Sequence, residues 1–116
     1  MLRPAATLLL LASPTLADPA RIVGAEAIQT SGGWRFEVTL EHGDTGWDDY
    51  ADGWRVELPD GTILGTRVLT HPHVTEQPFT RSLFGVLLPD GTTLVHIRAR
   101  TSQTGWAAET IPVSLD

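Results

Sequence analysis

WRFEVTLE, residues 34–41, decides the fold class. Trp34, Phe36, Val38 and Leu40 alternate with Arg35, Glu37, Thr39 and Glu41. A period of two places the first set on one face and the second on the other, which predicts a half-buried antiparallel strand. The same alternation returns in WRVEL (54–58), with Trp54, Val56 and Leu58 inward, and in TLVHIRAR (93–100), with Val95, Ile97 and Ala99 inward. ETIPVSL (109–115) repeats it with Ile111, Val113 and Leu115; Pro112 on its polar face predicts an edge strand, where no ladder donor is needed.

The turns between these segments are legible as well. LPDGT occurs at 58–62 and again at 88–92. Proline presets φ, aspartate bonds its own backbone and glycine accepts a left-handed conformation, so each predicts a hairpin. The expected pairs are 54–58 with 62–69 and 83–88 with 93–100; the flanks do not align, so no internal repeat is inferred. With a first strand at 21–28 the count is about seven strands, and no segment has helical period. An all-β chain of this size predicts an antiparallel immunoglobulin-like or fibronectin type III-like β-sandwich, with a closed barrel as the alternative. Trp34 and Trp54 are expected in its core.

The first residues read as a cleaved signal peptide, 1–17. Arg3 supplies the charge, Pro4–Ala12 a short apolar run, and Pro14, Thr15 and Ala17 the breaker and small residues of a cleavage site. The run is about half the length of a membrane span. Residues 18–116 are then a single domain, expected to be soluble in the periplasm or outside the cell. No second membrane segment follows, so no membrane insertion is expected after cleavage. This part has seven arginines, no lysine and fourteen acidic residues, a balance of −7. Such a surface repels phosphate backbones and anionic lipids, which argues against nucleic-acid partners. The chain has no cysteine, so disulfides, thiol nucleophiles, Cys-type zinc sites, blue copper and a lipid on a mature N-terminal Cys are all excluded. Its one methionine is the first residue, which leaves none for Cu(I) after cleavage.

Two long connections stand apart, HGDTGWDDYADG (42–53) and HPHVTEQPFTR (71–81), and long ordered loops are more often functional than short ones. GWDDYADGW with LGTRVLTHPHVTEQPFTRSL resembles a group of small secreted bacterial proteins of no assigned function, over about residues 43–100. The resemblance implies a shared fold and shared loops and brings no activity.

Three chemistries compete for these loops. His71 and His73 are two apart and Pro72 favours an extended His71, so both rings could share a face. With Glu76, His42 and Asp44 they could bind Zn²⁺ or Cu²⁺. The competing reading is a stiff crossover in which Phe79 plugs the core and Glu76 pairs with Arg81. In the other loop Asp48, Asp49 and Asp52 precede Gly53, but Tyr50 and Pro59 occupy ligand positions of the EF-hand, so that motif fails; a looser Ca²⁺ site or a solvated acidic turn remains. The third reading is recognition. Each tryptophan follows a glycine, and Trp47 and Trp106 lie in predicted loops. With Tyr50, Asp48 and Asp52 they could engage a protein or glycan partner. No serine sits in an exposed elbow, and His96 lies on the polar face of a strand, so no enzyme is expected. A non-enzymatic binding module using loops 42–53 and 71–81 is the leading reading, a divalent metal-binding protein the alternative.

Overall fold

The computed structural model describes residues 17–115, so the expected leader lies outside the described residues except for Ala17. Eight strands are formed among them: β1 (Arg21–Thr30), β2 (Gly33–Glu41), β3 (Ala51–Glu57), β4 (Ile63–Val68), β5 (Phe79–Val86), β6 (Leu94–Thr101), β7 (Gly105–Trp106) and β8 (Ile111–Ser114). They build two antiparallel sheets. One has the order β1-β2-β5; the other runs β4-β3-β6-β7, with β8 also on β6. β7 pairs with Arg100 and Thr101 while β8 pairs with Leu94–Ile97, so the two lie along the same edge as one interrupted strand. The expected seven strands are therefore present, with the last split. In the constant immunoglobulin arrangement the fourth strand would join the first, second and fifth. Here β4 joins β3, which is the fibronectin type III-like alternative.

The alternating residues face each other across the sandwich. Phe36, Val38 and Leu40 of β2 and Trp54 and Val56 of β3 are fully buried, as are Val95 and Ile97 of β6. Phe79 and Val86 of β5 and Val113 of β8 complete the core. At Gly65 a Cβ would lie 3.0 Å from Leu83 Cδ2, so the absence of a side chain lets β4 close on β5. Trp34 departs from expectation. It is only half-buried at the rim, where the register shifts between Trp34 and Phe36.

The two LPDGT turns close differently, Gly61 N–H donating to the Leu58 carbonyl in the first and Thr92 N–H to the Pro89 carbonyl in the second, and they do different work. Gly61 (φ 91°) and Gly91 (φ 83°) both take the left-handed conformation. The first turn closes the β3–β4 hairpin, with Leu58 N–H donating to the Thr62 carbonyl at 2.8 Å. The expected hairpin of 83–88 with 93–100 does not form. β5 pairs with β2 and β6 with β3, so the second turn crosses between sheets. A shift in register before Val86, with Gly85 at φ 69°, ends β5 early, and Leu88 turns onto the core beneath. β3 and β5 also begin earlier than expected, which shortens the long loops to 42–50 and 69–78 and puts Asp52 on β3.

Phe36→Ala removes a fully buried ring and is expected to cost about 3–5 kcal/mol, whereas Trp34→Ala at the rim costs less. Urea unfolding of both variants checks this.

Candidate functional site

The antiparallel order places both long loops at one end of the sandwich, and they meet there. Asp44 joins them. Its side chain is completely buried. Oδ1 accepts from Ala51 N–H at 2.9 Å and Oδ2 from His73 N–H at 2.8 Å. Oδ1 also lies 2.6 Å from Nδ1 of His42, whose Nε2 donates to the Asp18 carbonyl at 3.0 Å. Gln77 locks the loops from the other side: its Oε1 accepts from His42 N–H at 3.0 Å and its Nε2 donates to the His73 carbonyl at 2.9 Å. A buried carboxylate needs several donors to be tolerated, and this one has them from three separate segments.

That arrangement uses the expected metal ligands for other purposes. Both ring nitrogens of His42 are engaged. His73 is buried and stacked on Phe79, ring centroids 3.9 Å apart. Arg81 donates to its Nε2 at 2.9 Å, so the ring proton sits on Nδ1, which is buried without a partner. His71 is exposed, its ring 4.5 Å from that of His73, with Nδ1 donating to the Pro72 carbonyl. Glu76 is turned to Arg81 at 3.1 Å. The four expected ligands His71, His73, Glu76 and His42 therefore do not converge, and no group of three metal-binding side chains occurs among the described residues. The stiff crossover is what forms: Phe79 is buried in the core and Glu76 pairs with Arg81. The segment carries the chain from β4 in one sheet to β5 in the other.

The acidic residues also disperse. Asp48 is exposed, and its carbonyl accepts from Gln103. Asp49 Oδ1 lies 3.7 Å from His42 Nε2. Asp52 forms an ion pair with Arg100 on the outer face of the larger sheet. No carboxylate shell for Ca²⁺ is built.

The recognition residues come together better. Trp47, 67% exposed, meets Tyr50 edge-on with centroids 5.6 Å apart. Tyr50, Asp52 and Trp106 line one depression of about 290 Å³ with Gly53, Thr66, Val68, Leu69 and Arg100. Trp106 is on β7, not in a loop, and its ring is stacked by the Arg55 guanidinium at 4.0 Å with Arg100 at 5.9 Å. Arg100 and Arg55 were not among the expected site residues. Their signal was the alternation itself, which puts Arg55, Arg98 and Arg100 on one polar face. Below them Glu57 is nearly buried between Arg98 and Arg55, each at 2.7 Å. The Arg98 hydrogen bond, followed by that of Arg55, holds the Glu57 carboxyl below its ordinary range against the opposing effect of burial. Arg98 also donates to the Ala107 and Ala108 carbonyls, which fastens the break between β7 and β8. His96 bonds Thr110, and Ser102 Oγ accepts from Tyr50 N–H, so neither takes part in a nucleophile–base pair with the other.

The chain is similar to a protein of Halomicrobium mukohataei named "Putative lipoprotein", with 42% identity over 91 residues, 77% of this chain and 44% of that protein. It thus spans less than half of the relative's length. No protein-family profile and no solved structure matches it.

Asp44→Ala strips the acceptor from two buried N–H groups and from His42, and is expected to cost at least about 2–3 kcal/mol, since each buried donor left unpaired costs roughly 1–3 kcal/mol. His71→Ala should cost under about 0.5 kcal/mol, as for other exposed positions; urea midpoints separate the two. A pH dependence follows from His73. Burial first, then the charges of Arg81 and His71, holds its ring below the ordinary value of 6.5, against the weaker pull of Glu76 and Asp44. Below 6.5 the unfolded chain binds the proton more readily, so this contribution is full above that pH and is lost as the pH falls. Melting temperatures across this range should fall on acidification, with a shallower slope in His73→Phe, which keeps the stack and removes the titrating nitrogen.

Proposed function

We propose that the chain is an exported, non-enzymatic binding module, working in the periplasm or outside the cell, whose contact surface runs from the exposed Trp47 through Tyr50 to the depression at Asp52, Arg100 and Trp106. Three lines support export. The Arg3–Ala17 pattern is that of a leader. The relative is named as a lipoprotein, and lipoproteins are exported. A stable core without cysteine suits a compartment where thiols would oxidise.

The single observation behind the binding reading is the convergence of side chains from three distant segments on one depression. Tyr50 and Asp52, Thr66 and Val68, and Arg100 and Trp106 all line it. Aromatic rings and arginine beside a concavity are the composition of contact hot spots. Loop 69–78 supports the end of the sandwich, while loop 42–50 and the adjoining sheet face supply the contact. For a metal site the specific observation is limited to the adjacent His71 and His73 rings, and Nε2 of His73 is held by Arg81.

Purified protein incubated with envelope material from the producing cells tests the proposal. Wild type should be retained, and Trp47→Ala and Tyr50→Ala should reduce retention while leaving the melting temperature nearly unchanged. Equal retention of wild type and both variants would remove the basis for this surface.

A further inference from the structure

We infer that the depression between Tyr50 and Trp106 holds one ring of an uncharged carbohydrate, an inference that rests on the binding reading above. Size comes first. A volume of about 290 Å³ falls at the lower edge of small-molecule pockets, which span roughly 300–1,000 Å³. It has room for a single ring and not for a folded peptide element.

Charge narrows the ligand further. Arg100 and Asp52 form an ion pair inside the depression, so its two formal charges cancel. A charged ligand would have to compete with a partner already in place, and an anion would also meet a chain of net charge −6. The groups that remain are of mixed hydrogen-bonding character. Arg100 has guanidinium N–H donors beyond the one given to Asp52, Thr66 has a hydroxyl, and Asp52 Oδ1 is a buried acceptor without a protein partner at the floor of the site. A sugar hydroxyl both donates and accepts, and so matches this mixture better than a one-sided donor or acceptor.

The apolar wall completes the match. Trp106, Val68 and Leu69 line the same space. The C–H face of a pyranose buries apolar surface against an indole while its hydroxyls stay directed to polar groups. Trp106 is also set in place beforehand, by the Arg55 guanidinium at 4.0 Å and by pairing with Arg100 across β6 and β7. A ring already ordered costs little more to order on binding. Trp47 stands beside Tyr50 as a second exposed aromatic, which extends the surface towards a neighbouring sugar of an oligosaccharide.

The test is a titration of the purified protein with neutral hexasaccharides of glucose (β-1,4 and α-1,4), xylose, mannose and N-acetylglucosamine, followed by tryptophan fluorescence and saturation-transfer NMR. At least one should bind at millimolar concentration or tighter, and Trp106→Ala and Asp52→Asn should weaken it by about tenfold or more. Trp47→Ala, at an exposed position that leaves folding intact, should weaken it as well and covers the case in which Trp106→Ala does not fold. Failure of all five sugars, or binding that survives both tryptophan variants, overturns the inference. If the sugars fail while Trp47 and Tyr50 still govern retention on envelope material through a protein component, the carbohydrate assignment falls and the binding module stands. If retention is also independent of those residues, both fall.

Discussion

The buried carboxylate of Asp44 is the constraint on which the loop end of the molecule depends. A small sandwich without cysteine has to hold long loops by other means, and here one side chain does so. Its oxygens take a donor from the start of β3 and another from the β4–β5 crossover, and its neighbour His42 reaches back to Asp18. The start of β3 fixes Tyr50 and Asp52, and the crossover fixes Phe79 against the core. The loops are thus ordered as a unit with the sandwich. That order is what allows a depression lined by residues 50, 66 and 106 to exist before any ligand is present.

Arginine performs a second structural task on the outer face of the larger sheet. Arg98 and Arg55 neutralise the nearly buried Glu57, and Arg98 continues to the carbonyls at the break between β7 and β8. A planar guanidinium can serve a carboxylate and two carbonyls together, and can sit over an indole as Arg55 does over Trp106; a lysine ammonium lacks that planar fork of five donors. A chain with eight arginines and no lysine is consistent with these demands.

The features legible in the sequence are those encoded over short distances. WRFEVTLE and TLVHIRAR show their buried faces by alternation alone, and apart from Trp34 at the rim the inward residues are the buried ones. In HPHVTEQPFTR, Phe79 as a plug and the Glu76–Arg81 pair could also be anticipated, because the charges lie five residues apart and a ring among prolines has little else to pack on. Asp44 resembled a ligand because a carboxylate near histidines looks the same whether it awaits a metal or backbone N–H groups; its donors lie up to 29 residues away. The second LPDGT shows the same limit. Its turn was correctly inferred, but whether a turn joins neighbours in one sheet or crosses to the other depends on which strand β5 pairs with. Trp106 likewise looked like a loop residue because its partners, Arg55 and Arg100, are set by cross-strand register.

Asp18 is tied by its carbonyl to His42, among the same loops that support the candidate surface. Asp18 therefore sits at the loop end of the sandwich, while the β1–β2 and β3–β4 turns point the other way. A label or fusion placed ahead of Asp18 would crowd the candidate surface, whereas one inserted at a hairpin turn would leave it clear.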